Sequence, residues 1–263
     1  MKVTAAQLEA ISKDSAWTNI GALPSQFIPY KDRGDKSMEV LYVKPLSIAE
    51  LLLISKTASL GNINHMLRAV DNCITHDVMD LTIGDFYYVL LWLRTYSTTK
   101  TPYVVEWFCD QPIFQHNETK QFLLYDNKDW PTMDVLSQQY TSSPCNTQNT
   151  SSVHAGDPEV LCLDDDLVLP EGFDFPRVAI MEDMNKAISD PEQQFLVPAV
   201  QWLVGNTWQE KLESAKDLNR FYDAIELNKV ITHGVKETVK VTCLRCRVSH
   251  DQPLVLNAAG FFQ

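Results

Sequence analysis

The chain has 263 residues, a formal net charge of −12 and 45% hydrophobic residues. This length and this hydrophobic fraction suffice for a buried core, which excludes a disordered chain and makes disulfide staples unnecessary. The negative charge argues against a nucleic-acid partner, because binding to a polyanion depends on clustered Lys and Arg side chains.

The cellular compartment is predicted from what the sequence lacks. It contains no uninterrupted apolar run of about 18 residues, and its start, "MKVTAAQLEAISKDS", lacks the apolar stretch of a signal peptide. We therefore expect no membrane span and a cytosolic product. In that compartment the six cysteines are thiols or metal ligands rather than disulfides.

The first 37 residues are predicted to form an extended N-terminal arm. Thr4 and Gln7 have the spacing of a capping box, which predicts a short helix ending near Lys13. Gly, Pro and Ser then interrupt the pattern from Asp14 to Lys36. An arm of this kind buries apolar area in a groove of a partner, and its candidate partner-binding residues are Trp17, Ile20, Phe27 and Tyr30.

Three helices are predicted between Leu46 and Ser97, where they form a helical layer. Ser47 and Glu50 have the capping-box spacing at the start of the first helix. Thr82 and Asp85 repeat it before a wide apolar face in the third. Apolar positions of the middle helix lie three or four residues apart, on one face: Ile63, Met66, Leu67, Val70 and Ile74.

The composition changes after a predicted strand from Val104 to Cys109. Residues 110–234 are predicted to be an inserted loop-rich and helical region, because "QQYTSSPCNTQNTSSVHAGDPE" is a long polar stretch. Asp190 and Pro191 predict one helix start in this region. Thr207 and Glu210 predict another, with helical sequence that continues to near Gly234.

The C-terminal part returns to strand character between Val239 and Leu256. We therefore predict an α+β fold in which the N-terminal helical layer packs on a small antiparallel β element with a zinc-ribbon-like knuckle. Residues 38–109 plus 235–263 form this core domain, and the largely helical insertion interrupts it.

A metal site is predicted at "CLRC", where Cys243 and Cys246 lie at the turn between two strands. A C-x-x-C pair in a hairpin turn lets two thiolates reach one tetrahedral Zn²⁺ ion. Cys109 and His116 could complete the site, with His250 as the alternative fourth ligand.

Two other interpretations of these cysteines stay open. Buried free thiols explain them without a metal ion, and a redox pair is disfavoured because strands flank the C-x-x-C motif instead of a helix N-terminus. Cys145 lies in the polar stretch and is assigned to a surface loop.

Motifs of the common enzyme classes are absent from the sequence. No P-loop, G-x-G-x-x-G or G-x-S-x-G occurs, and only nine glycines are available to form a phosphate-binding loop. We therefore predict that the protein is not an enzyme. The alternatives are a zinc-dependent enzyme with an open coordination position and a cytosolic zinc-ribbon adaptor module.

Several segments together resemble a phage protein family, the baseplate hub and hub assembly proteins of T-even-type contractile tails. The resemblance covers roughly 110 residues by motif matching. The matching segments are "LYVKPLSIAELLLIS" (41–55), "DLTIGDFYYVLLWLRTYS" (80–97), "VVEWFC" (104–109) and "VTCLRC" followed by "LVLNAAGFF".

The resemblance implies a non-enzymatic structural or assembly component of the tail baseplate. Such a protein binds other baseplate and tail subunits in a hetero-oligomeric assembly. It is assembled in the host cytoplasm and located in the virion. The sequence departs from the family pattern at the first cysteine knuckle, of which only Cys109 is present.

Overall fold

The computed structural model describes residues 4–31, 40–97, 103–153, 158–236 and 238–254. Within these ranges, two short 3₁₀ helices, Val78–Asp80 and Val178–Ile180, accompany the main elements. In chain order the helices and strands are α1 (Ala5–Ser12), β1 (Thr18–Asn19), α2 (Ile28–Lys31), β2 (Tyr42–Val43), α3 (Ile48–Leu60), α4 (Asn64–Asp71), α5 (Ile83–Tyr96), β3 (Tyr103–Cys109), β4 (Pro112–His116), β5 (Phe122–Leu123), α6 (Met133–Gln139), β6 (Tyr140–Pro144), β7 (Thr147–Val153), β8 (Val160–Leu161), α7 (Met181–Ser189), α8 (Val197–Val200), α9 (Trp208–Ser214), α10 (Leu218–Val230), β9 (Gly234–Val235), β10 (Thr238–Thr242) and β11 (Ser249–Pro253).

The fold is α+β, as predicted, and the chain divides into two compact units. The helical unit comprises Met1–Thr101, Glu159–Lys236 and Leu256–Gln263, and the β unit comprises Pro102–Pro158 and Glu237–Val255. This division differs from the predicted domains, because the first part of the predicted insertion belongs with the strands and the remainder with the helices. Among the described residues, no helix combines the length and the apolar character that a membrane crossing requires.

Local capping signals determine where several helices of the helical unit begin. Both hydrogen bonds of the predicted box are present at Ser47 and Glu50, and α3 ends at Gly61 in the left-handed conformation, φ 67°. The main core lies between the N-terminal segment and helices α3 to α5. Its fully buried members include Leu23, Leu41, Val43, Leu46, Ile54, Val70, Leu81, Phe86, Leu90 and Leu93.

The N-terminal segment does not form the predicted extended arm. β1 pairs with β2 within the helical unit, and Tyr30 is 2% exposed. Ile20 and Phe27 pack against the main core, and Trp17 is half-buried beneath the Lys44 ammonium, 5.2 Å from its ring centre. The predicted anchors therefore bury apolar area against their own chain. Residues 1–3 and 32–37 of the predicted arm lie outside the described residues.

Only one of the two capping-box hydrogen bonds predicted for Thr82 and Asp85 is present at the start of α5. The Thr82 hydroxyl accepts the Asp85 backbone N–H at 3.2 Å. The Asp85 carboxylate is buried and instead accepts the Tyr30 hydroxyl at 2.5 Å and the Ser25 backbone N–H at 3.0 Å. It therefore ties the N-terminal segment to α5.

A long antiparallel ribbon with one break organises the β unit. β3 pairs with β7 up to Cys109 opposite Thr147, and β4 pairs with β6 from Pro112 opposite Pro144. β5 adds to the outer side of β4. The ladder is interrupted between these two registers, and at the break the Cys145 N–H donates to the Gln111 carbonyl at 2.8 Å.

Two predictions of local structure are wrong. The polar stretch predicted as a loop contributes β6 and β7, since its Thr and Ser side chains suit a strand with an exposed face. The predicted helix after Asp190 consists of turns followed by the four residues of α8. The helical sequence predicted after Thr207 forms two helices, because the Asp217 side chain accepts two backbone N–H groups and starts α10 separately from α9.

Candidate metal centre

The predicted knuckle is formed by the turn of the β10–β11 hairpin. β10 ends at Thr242, which pairs with Ser249. Beyond it, the Cys243 N–H donates to the Val248 carbonyl, and the Arg247 N–H donates back to the Cys243 carbonyl, both at 2.9 Å. Arg247 has φ 66°, which reverses the chain directly after Cys246. The turn therefore holds both sulfurs on its inner side, where Cys243 and Cys246 are buried.

Backbone N–H groups point at the sulfurs of this centre. Cys243 Sγ accepts from the N–H groups of Cys246 and Arg245, and Cys246 Sγ accepts from Val248. The Gln111 N–H, at the break in the ribbon, donates to Cys109 Sγ. Such donors favour the thiolate form, which is the form that binds metal ions.

The other two sulfurs belong to residues on the two chain segments of the ribbon, both at its break. Cys109 is the last residue of β3, and Cys145 lies between β6 and β7. Asn146, with φ 47°, follows Cys145. Both cysteines are completely buried, so the ribbon presents two thiols to the hairpin that carries Cys243 and Cys246.

The four sulfurs have the spacing of a tetrahedral metal site. All four Sγ atoms lie within 4.8 Å of one another, with 3.6 Å between Cys109 and Cys246 and 3.7 Å between Cys145 and Cys243. Zinc–sulfur bonds of about 2.3 Å in a tetrahedron require sulfurs about 3.8 Å apart. The donor set and its spacing therefore fit one Zn²⁺ ion.

The thiols differ in acidity because their surroundings differ. Burial raises the pKa of Cys109 and that of Cys246. Burial also acts to raise the pKa of Cys243, but the N–H groups of Cys246 and Arg245 oppose it and lower this pKa to about 6. A metal ion binds the thiolate forms, so its binding releases the protons that the free thiols carry.

Three of the four predicted ligands come together, and His116 does not join them. His116 ends β4, where its Nδ1 accepts the backbone N–H groups of Glu118 and Thr119, both at 3.2 Å. Its ring packs edge-on against Tyr140. His250, the predicted alternative, contacts the site from outside, with Nε2 3.5 Å from Cys109 Sγ.

Cys145 is the site residue that sequence reasoning missed. Its neighbours are polar, a composition typical of a surface loop. In the structure Cys145, Asn149 and Val153 of "CNTQNTSSV" are buried, but polar residues fill the positions between them, so the sequence alone carries no alternating apolar pattern.

No protein-family model, curated protein or solved structure matches this chain. The class that the fold and the site define is an α+β protein with a buried, closed group of four cysteines at metal-binding distance.

Proposed function

We propose that this protein is not an enzyme and functions by binding other proteins. In this proposal a structural Zn²⁺ ion bound by Cys109, Cys145, Cys243 and Cys246 stabilises the β unit. The observation that carries this proposal is the closed set of four buried thiols. Structural zinc sites have four protein ligands, whereas catalytic sites keep one position open for water or substrate. The fourth thiol of Cys145 thus favours a structural ion over the zinc enzyme considered above.

A bound metal ion would supply stability that the small β unit lacks. The unit has fewer than about 80 residues, a size at which a single hydrophobic core contributes little net stability. Its two parts, Pro102–Pro158 and Glu237–Val255, are far apart in the sequence. An ion bound by two thiolates from each part would fasten the hairpin to the ribbon.

We further propose that the protein is a structural or assembly component of a contractile phage tail baseplate, in the hub region. The support is the resemblance of residues 41–55, 80–97 and 104–109 and of the C-x-x-C segment. In this proposal it binds other baseplate and tail subunits, is assembled in the host cytoplasm and is located in the virion.

Two surface properties of the chain support a function in binding other proteins. On α3, Ile48 is 74% exposed and Leu52 is 60% exposed, which are large values for apolar side chains next to each other on one helix face. The net charge of −12 suits a partner with a basic face.

Two measurements test the two parts of the proposal separately. Native mass spectrometry of the purified protein should show one zinc ion per chain, and a metal-free protein from zinc-supplied cells would refute the structural ion. Quantitative proteomics of tails and tail intermediates, purified from the phage that encodes the chain, should find it at a fixed ratio to baseplate subunits. Its absence from both fractions would refute the baseplate role.

A further inference from the structure

We infer that His250 and Asn149 are positioning residues of the metal centre, each donating a side-chain N–H to a thiolate that the opposite part of the β unit supplies. This inference rests on the proposed zinc site. His250 belongs to β11 and contacts Cys109 of β3, at 3.5 Å from Nε2 to Sγ. Asn149 belongs to β7 and contacts Cys243 of the knuckle, at 3.6 Å from Nδ2 to Sγ. Each part of the β unit therefore supplies one donor, and the sulfur that accepts from it belongs to the other part.

The direction of both hydrogen bonds follows from the chemistry of a bound thiolate. A cysteine that binds a metal ion has lost its proton and can only accept. The imidazole Nε2 facing Cys109 must then carry the hydrogen. The amide nitrogen of Asn149 is a donor in any state of the site.

Both side chains are held in place by contacts of their own. Asn149 is 2% exposed, and its Oδ1 accepts the Leu244 N–H of the knuckle at 3.1 Å. Its amide nitrogen also donates to the Thr147 carbonyl at 3.0 Å. The His250 ring packs against the buried Trp107 ring, with 4.6 Å between ring centres. These contacts place both donors next to their sulfurs.

Four thiolates around one divalent cation leave a net negative charge in a buried place. Hydrogen bonds to the sulfurs disperse this charge and reduce the electron density that each sulfur gives to the metal. Loss of such outer contacts weakens metal binding by about 10–100-fold. The two donors should thus slow metal release and, because each spans both parts of the unit, couple ion binding to docking of the hairpin.

The test compares variants that separate the ring from its N–H group. His250→Phe keeps an aromatic ring against Trp107 and removes the donor, whereas His250→Gln keeps a donor near the position of Nε2. We expect the full-length His250→Phe protein to lose zinc to a chelator about 10-fold faster than wild type and His250→Gln to be close to wild type. Asn149→Leu should resemble His250→Phe.

Cobalt substitution supplies a readout that packing alone does not move. Without the hydrogen bond, sulfur donates electrons more easily, so the sulfur-to-cobalt charge-transfer band should move to lower energy in His250→Phe and return in His250→Gln. An unshifted band in His250→Phe, or equal shifts in both His250 variants, would overturn the inference. A wild-type protein without any tetrathiolate cobalt spectrum would instead refute the zinc site itself.

Discussion

Cys145 closes the metal centre, because its Sγ is the fourth sulfur and lies 3.7 Å from that of Cys243. Replacing Cys145 by Ser should reduce zinc affinity by more than the 10–100-fold that loss of an outer contact costs, about two orders of magnitude or more. The protein should then lose its ion during dialysis against a weak chelator, as measured by elemental analysis per chain.

The matched control for this variant is His116→Asn in the same unit. An Asn side chain can still accept the N–H groups of Glu118 and Thr119, so the turn after β4 is kept. The zinc content of this control should equal that of wild type. Zinc lost from His116→Asn and retained in Cys145→Ser would restore the ligand set predicted from the sequence and contradict the one seen in the structure.

We expect His233 to make the stability of the helical unit depend on pH. Its ring is largely buried, which lowers its pKa below the usual value, and Nε2 lies 2.7 Å from the Thr82 hydroxyl. The unfolded chain takes up the proton near pH 6.5, whereas the folded chain resists it. Stability is therefore full above pH 6.5 and falls as the pH decreases toward the folded pKa, by up to about 1.4 kcal/mol per pH unit.

The measurement is urea denaturation of wild type and His233→Gln between pH 7.5 and 5.5. A Gln amide can still hydrogen-bond to Thr82 but does not titrate, so the variant should show a flatter pH dependence in this range. Identical slopes for the two proteins would show that His233 does not titrate as described.

Helix α5 and strand β9 approach so closely that only glycine fits at their contact. A Cβ atom on Gly84 would collide with the His233 carbonyl oxygen. A Cβ atom on Gly234, where φ is 107°, would lie 2.7 Å from the Gly84 Cα atom. Backbone atoms form both contacts, so a flexible side chain cannot move aside to make room.

Gly84→Ala should therefore lower the free energy of unfolding by about 1–3 kcal/mol, the usual cost of overpacking, although alanine is the better helix former. Gly61→Ala is the comparison, since a Cβ there has nothing within 4 Å and only the left-handed backbone, φ 67°, opposes it. Its expected cost is about 1 kcal/mol. A Gly84→Ala protein as stable as wild type would contradict the close approach.

Some helix starts could be predicted from the sequence, because their capping signals lie within four residues, although the start predicted at Asp190 is wrong. The Thr4 and Ser47 capping boxes are both present in full. Strand β7 could not be predicted from the sequence, because its partner β3 lies far away along the chain. Only the pairing with β3 makes this polar segment a strand. The same non-local pairing positions Cys145. The sequence predicts only a local cap for the Asp85 carboxylate, because no nearby residue indicates that Tyr30 reaches it.

The two units of the molecule should respond differently to metal removal. The helical unit has cores of its own, one of them around Phe86 and Leu90 and another around Phe175 and Trp202. We propose that the β unit depends on a metal ion at the four-sulfur centre. Releasing zinc with a thiol-reactive mercurial should therefore remove hydrogen-exchange protection from residues 103–153 and 238–254 while residues 40–97 and 158–236 keep it. Equal loss in both units would contradict a metal centre that serves the β unit alone.

The central claim is that one metal ion is bound by four sulfurs and by nothing else. X-ray absorption at the zinc edge of the purified protein tests it most directly, because the method counts the atoms bound to zinc. We expect four sulfur neighbours at about 2.3 Å and no nitrogen or oxygen neighbour. A shell that contains a histidine nitrogen or a water oxygen would contradict it.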